Sequence, residues 1–468
     1  MAVLSLASCT KDEEPHNPHS SRVVLVYMAG DNSLGGYVQD NLDAMRRGMA
    51  SASSGSRTIT YVDTPDGNPR LVEVTASGTK TLHAWPSPHN SASAATVREV
   101  VSLVRTLAPA DRYGLVLWSH GLAWMPSWAT GYLTRSKARM GDTWPQTKHG
   151  GAASGISAFF VPAAFSSSAF MPVTATGSAF PYRSPTLRFD TVTRYASGIP
   201  AGMVRTVSAC PAILPVSSAA VPSPSTKWFG QDTGESPAGY LDTEQLSEAI
   251  PSGVFDWILF DACFMASAET LYALRDKAER IVCSPAEVIA DGFPYAEIMA
   301  ELLRPEPDLR AVCETYYRHY ADDPRPAYRS ATVSLIETSQ LEALAAATAS
   351  VLGTALAADP EVLSGMDLNR LQPLDRYRRH FLFDMGSVVR ELETRGLVPA
   401  SLAEAWRTQL ARTVTYEAHT STMLGLSLKE CCGLSMYVPY ADYADLNEYY
   451  RTLEWYRQCY PADYEIVQ

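Results

Sequence analysis

The sequence contains no Cys-x-x-Cys pair and no His-Glu-x-x-His word, so neither a zinc ribbon nor a zincin-type hydrolase is written in it. Its eight cysteines fall at irregular intervals, with Cys431 and Cys432 adjacent, and give neither a metal spacing nor a regular disulfide framework. No Gly-Lys-Ser/Thr follows a glycine loop, and Gly30, Gly35 and Gly36 lack the spacing of a dinucleotide fingerprint. Recognisable calcium-loop spacing is missing too. Positive charge is scarce: 38 Lys and Arg stand against 50 Asp and Glu, for a net charge of −12. That balance argues against nucleic acid as a partner, because phosphate binding needs a basic footprint. What is present is 468 residues, 46% hydrophobic and 19% charged, enough to bury a large core and to exclude disorder of the whole.

Two apolar runs organise the chain. Phe255 to Met265 is uninterrupted except for Asp256 and Asp261, suits the interior of a parallel sheet, and ends in a thiol, Cys263. Ser267 to Lys277 follow at helical spacing, so Cys263 is expected where strand becomes helix. Ligands and chemistry in open α/β sheets collect outside the carboxyl ends of the strands. Taken alone, Cys263 reads first as a buried structural thiol. The second run, Tyr113 to Ser119, closes on His120-Gly121, and His120 alone among nine histidines ends an apolar run with glycine behind it. Thiol chemistry on an acyl group needs an imidazole to hold the thiolate and then to protonate the leaving amine.

These residues resemble the clostripain-like cysteine peptidases, in the clan that shares the caspase and gingipain fold. The matching words are Ser119-His120-Gly121 and Asp261-Ala262-Cys263-Phe264-Met265. Weaker support comes from Val26 to Asn32, Trp228 to Asp232, Ala290 to Tyr295 and Gly433 to Pro439. The resemblance implies a His120/Cys263 dyad, a caspase-like α/β core and cleavage after basic residues. It also implies acidic residues in the primary pocket, for which the matching positions are Asp291, with Asp261 beside the nucleophile. Calcium dependence occurs in that family; no cofactor is otherwise implied.

Strand and helix signals alternate along the chain: a strand at Arg22 to Ala29, a helix to about Met49, a strand at Arg57 to Asp63 with a hairpin partner at Leu71 to Val74, and a helix at Ala94 to Leu107. This alternation predicts a mostly parallel sheet covered by helices on both faces. The expected core spans 22–295. Within it, about 125–227 is Ser/Ala/Pro-rich and reads as a long insertion. Linkers at this place are often self-cut after a basic residue in the resembled family, and Arg135, Lys137, Arg139 and Lys148 are the candidates here. From 296 to 468 a helical addition with a late strand at Leu434 to Val438 is expected, including a helix over Leu402 to Ala418. Residues 1–21 read as a truncated signal and tether, in which Leu6-Ala7-Ser8-Cys9 resembles a bacterial lipobox with Cys9 acylated and Thr10 to Glu14 resembles an acidic surface-sorting tract.

The function expected is that of an exported endopeptidase acting on peptides or proteins, with a thiolate at Cys263, backbone N–H groups of Gly121 and Cys263 holding the oxyanion, and membrane contact only through a lipid on Cys9. The alternative is a catalytically silent binding protein on the same scaffold. A redox thiol enzyme is disfavoured because Cys283 is not at a resolving spacing from Cys263.

Overall fold

The computed structural model describes residues 19–52, 54–129, 231–234, 239–377 and 379–466, all of which belong to one compact unit. Cys9 and the four processing candidates lie outside the described residues, as does nearly all of the expected insertion.

Nine strands form one sheet: β1 (Ser20–Ala29), β2 (Ser56–Asp63), β3 (Arg70–Thr75), β4 (Gly78–Ala84), β5 (Ala110–Trp118), β6 (Phe255–Asp261), β7 (Arg280–Cys283), β8 (Thr332–Glu337) and β9 (Val414–His419). Their order is β9-β8-β7-β6-β5-β1-β2-β3-β4. The five central strands β7, β6, β5, β1 and β2 run parallel, and the strands at each margin are antiparallel to their neighbours. Parallel strands need crossover helices, and the chain supplies them: α1 (Val38–Gly48) joins β1 to β2, α2 (Ala94–Leu107) precedes β5, and α3 (Thr243–Ala249) and α4 (Ala268–Ala273) flank β6.

Both faces of the sheet are covered at its centre, so β1 and β6 are buried and apolar over most of their length, whereas the margin strand β4 is largely exposed. Val23, Leu25, Tyr27 and Ala29 enter one core while Val24, Val26 and Met28 enter the other. The second core is closed by α1 with α5 (Tyr295–Leu302) and α6 (Leu309–Ala321). The first is closed by α2, α3 and α4, and by α7 (Leu341–Ala358), α8 (Met385–Thr394), α9 (Ala400–Thr413), α10 (Ala444–Thr452) and α11 (Glu454–Cys459). Local signals set the helix starts: Ser93 accepts the N–H of Thr96 to open α2, and Ser267 accepts that of Thr270 to open α4. At the amino ends of the strands the fully buried Arg22 donates to Asp256 of β6 and to the carbonyls of Arg304 and Pro305, pairing its charge where water is excluded.

The region after 295 differs from its expectation. It is helical with β8 where the sequence predicts a strand, Ser330 to Ile336, but β8 and the unexpected β9 both join the main sheet, so residues on both sides of 295/296 share one sheet. The helix expected over Leu402 to Ala418 ends at Thr413, where Thr413, Val414 and Thr415 are β-branched and the chain turns to pair along β8. The late strand shortens to Ser435–Met436 and pairs with Phe383–Asp384 instead of joining the sheet. The helix expected to run to Lys277 stops at Ala273.

Candidate active site

Strands β5 and β6 are parallel neighbours whose register pairs Trp118 with Asp261. His120 and Cys263 each lie two residues beyond that pair, so the sheet delivers both to the same carboxyl-end edge. Gly121 brings the two chains into contact. A β-carbon on Gly121 would stand 2.0 Å from the carbonyl oxygen of Cys263 and 2.8 Å from its nitrogen, so only a hydrogen fits. Beyond Cys263 the chain reverses sharply, with Phe264 at φ +63°, a conformation costly for a bulky side chain. It is held by the Phe264 N–H bonding Ala286 O at 2.8 Å and the Ala266 N–H bonding Ser284 O at 3.0 Å. A strained turn held from outside is what fixes a reactive side chain at a strand end.

His120 is buried, and its Nε2 lies 3.0 Å from Ser33 Oγ. Ser33 sits in the loop after β1, fastened by Asn32, whose amide donates to Ala29 O and whose Oδ1 accepts the Leu34 N–H. The same loop meets the segment that returns from the insertion: Asp31 O accepts from both the N–H and the hydroxyl of Thr233, while Asp232 accepts the Ser91 N–H at 2.6 Å. Asp63, at the end of β2 beside these carboxylates, is pushed up to about 7 by burial and by Asp232 and Asp31, against a lowering hydrogen bond from Ser91.

Cys263 is wholly buried. Its Sγ accepts the Val288 N–H at 3.1 Å and faces Val288 O at 3.6 Å. Next to Val288, Glu287 forms a two-pronged ion pair with Arg376. Burial works to lower the Arg376 guanidinium, but Glu287 and the Cys263 thiol hold it above its ordinary value. Tyr377 packs its ring 6.2 Å from that of Phe264. The loop bearing Arg376 and Tyr377 is itself wound around Asp375, whose carboxylate accepts the N–H groups of Tyr377, Phe381 and Leu382 and pairs with His380.

The two expected pocket acids flank one turn but differ in exposure. Asp261 is fully buried, its Oδ2 accepting the Phe293 N–H at 3.2 Å and the Tyr295 hydroxyl at 2.8 Å. Asp291 is exposed at the tip of the Ile289–Gly292 turn, and Tyr320 clamps that turn through a 2.6 Å bond to Gly292 O. Asp261 therefore anchors the turn that presents Asp291. Sequence reasoning missed Ser33, Glu287, Val288 and Arg376, which reach the site only through tertiary folding and carry no local word.

A thiol and an imidazole at adjacent carboxyl ends of a mostly parallel, doubly covered sheet define a cysteine peptidase of the caspase-like class. A profile of the Clostripain family matches residues 26–138 and 217–463, so the chain belongs to that family. The unmatched stretch 139–216 falls within the expected insertion. Among solved structures, the chain is similar to an inactive zymogen C11 protease from Parabacteroides distasonis, with 25% identity, 94% of this chain and 99% of that one covered and a TM-score of 0.66. It is also similar in fold to a secreted C11 cysteine protease from Bacteroides thetaiotaomicron in complex with an irreversible peptide inhibitor, with 23% identity, 94% and 99% coverage and a TM-score of 0.63. No curated protein matches the chain.

Proposed function

We propose that this cysteine peptidase is an endopeptidase cleaving after basic residues, Arg before Lys, with Cys263 as nucleophile and His120 as general acid and base. The thiolate attacks the scissile carbonyl carbon, and N–H groups of Gly121 and Cys263 receive the oxyanion. The His120 imidazolium then gives its proton to the leaving amine, and in the second step takes one from the water that cleaves the thioester. The observation that carries this reading is the contact of Gly121 with the Cys263 backbone, which holds both side chains at one edge of the sheet. Asp291, on the turn anchored by Asp261, supplies the carboxylate for a guanidinium, whose desolvation must otherwise go uncompensated.

In the proposed scheme the conformation described here is the latent one. A nucleophile with no exposed surface, bonded to the Val288 N–H next to the Glu287–Arg376 pair, does not meet a peptide until its surroundings move. Self-cleavage between His120 and Cys263, at Arg135, Lys137, Arg139 or Lys148, is the trigger we assign to that movement, in line with the zymogen state of the Parabacteroides relative. Export and a lipid on Cys9 belong to the same scheme.

The test is hydrolysis of short Arg, Lys, Asn and Asp peptides by wild type, Cys263→Ala and His120→Ala. Both variants are expected to fold and to be inactive, and Cys263→Ala to stay one chain where wild type yields two associated fragments. Hydrolysis surviving in either variant removes that residue from its role. A wild type that binds peptides without cutting any favours the silent binding scaffold. Arg376→Ala is expected to speed iodoacetamide labelling of Cys263 in the uncut chain; an unchanged rate shows that Arg376 is no part of what must move.

A further inference from the structure

Three strands along the sheet from β6, three side chains of different chemistry converge at its margin. Glu417 and His419 stand two residues apart on β9, hence on one face of that strand, and Cys431 comes from the loop that folds back over it. One donor atom from each of Glu417, His419 and Cys431 lies within 4.8 Å of the others. His419 Nδ1 is 2.7 Å from a Glu417 oxygen, and both side chains are three-quarters buried, at 26% and 22% exposure.

The loop is pressed onto the strand and does not merely pass it. Gly433 has φ +88°, and a β-carbon there would stand 2.8 Å from Val414 Cγ1, 2.9 Å from Ser334 Oγ and 3.2 Å from Glu417 Cγ. Ser334 Oγ also donates to Gly433 O at 2.7 Å. Cys432 points elsewhere, its sulfur accepting the Gly386 N–H and facing Leu434 O. Cys431 is thus held at the Glu–His pair by its neighbours, before any ligand arrives.

We propose that Glu417, His419 and Cys431 form a binding site for a divalent transition-metal ion of zinc type. A thiolate, an imidazole and a carboxylate together suit Zn²⁺ and Co²⁺ and do not suit Ca²⁺ or Mg²⁺, which take oxygen donors. Three protein ligands leave a fourth, tetrahedral position to water. Zinc-to-ligand distances of about 2.0–2.3 Å place donors roughly 3.3–3.8 Å apart, so the Glu417–His419 pair opens from 2.7 Å by roughly half an ångström while Cys431 closes by about an ångström. On binding, the Cys431 thiol releases its proton as the S–metal bond forms, and the metal replaces the proton shared by His419 and Glu417. Burial, then Glu417 and Asp384, push the Cys431 thiol up. His419 is raised by its Glu417 bond, against burial. Expectation from the sequence was that no residue binds metal; chain spacing hides the site because its third donor enters from a loop beyond the Thr422–Ser427 hairpin.

The experiment titrates the full chain with Co²⁺ under a phosphine reductant, in a Cys263→Ala background so that the active-site thiol cannot contribute. A sulfur-to-cobalt charge-transfer band saturating at one equivalent and displaced by Zn²⁺ is expected. The band should vanish in Cys431→Ser, weaken at least tenfold in affinity in His419→Asn and Glu417→Gln, and persist in Cys432→Ser. Zn²⁺ should raise the melting temperature of the parent and leave that of His419→Asn unmoved. Absence of the band, its survival in Cys431→Ser, or its loss only in Cys432→Ser overturns the proposal, and His419→Asn decides the matter if Cys431→Ser does not fold.

Discussion

Gly121→Ala is the sharpest perturbation the fold offers, because it adds one methyl group where two backbones touch. The new carbon would lie 2.0 Å from the Cys263 carbonyl oxygen, well inside an ordinary contact of about 3.4 Å, and the atom it meets is backbone, with no rotamer to yield. The strand ends must therefore part by about an ångström. Overpacking of this kind costs about 1–3 kcal/mol of stability. A misplacement of about 1 Å between reacting groups costs about a hundredfold in rate, near 2.7 kcal/mol in the barrier. The expected result is a folded protein with kcat/KM on an Arg peptide lowered about a hundredfold and slower alkylation of Cys263 in the cleaved enzyme. Gly353→Ala is the control: it lies in α7, a β-carbon there meets nothing within 4 Å, and it should raise stability slightly and leave activity alone. Wild-type kcat/KM in folded Gly121→Ala would show that the approach of the two strand ends is incidental to the chemistry.

Asp291→Asn should lower kcat/KM on Arg peptides by about thirtyfold or more while an uncharged residue at the same position loses far less, since removing one partner of such a pair costs about 2–5 kcal/mol; an unchanged Arg-to-neutral ratio makes Asp291 a turn residue. Asp261→Asn should act differently, lowering the melting temperature and rates on all substrates together, because its carboxylate holds the Phe293 N–H and the Tyr295 hydroxyl. Glu269, buried in α4 where it accepts the Tyr437 N–H and the Tyr450 hydroxyl, is raised by burial from 4.5 to about 7. A carboxyl raised on folding makes the native state bind more protons than the unfolded one. Stability should therefore fall as pH rises from about 4.5 to about 7 and then level, by up to about 3 kcal/mol from this group. Glu269→Gln keeps the acceptor oxygen and should flatten that part of the pH–melting profile; a profile identical to wild type assigns the effect elsewhere.

How legible the chain was depended on where each signal lay. The strands ending at Trp118 and Asp261 were readable because burial makes them continuous apolar runs, and α2 because its apolar residues recur at helical spacing behind the Ser93 cap. Strand β9 was not, since Val414 to His419 follows a helical pattern and becomes a strand only by pairing with β8, a tertiary event. His120 and Cys263 could be named because each closes such a run. The surroundings of Cys263 could not: Val288 acts through its backbone, and Arg376 meets Glu287 across a long separation in the chain. Asp261 shows the limit from the other side. Its word was readable, but only the fold reveals that its carboxylate accepts from the Phe293 N–H and the Tyr295 hydroxyl.

The strand order has a further consequence. Among the described residues, every main-sheet strand before the insertion, β1 to β5, lies on one side of the sheet, and every main-sheet strand after it, β6 to β9, lies on the other. Within the sheet the halves meet along a single parallel seam, which includes the ladder from Gly114↔Trp257 to Trp118↔Asp261, and His120 and Cys263 stand on opposite banks of it. The chain is in effect a split protein whose two pieces complement each other within one sheet, stitched also by Arg22 reaching Asp256. Expressed separately, the pieces would each present an unpaired edge fit to template the other, and neither would hold both halves of the chemistry.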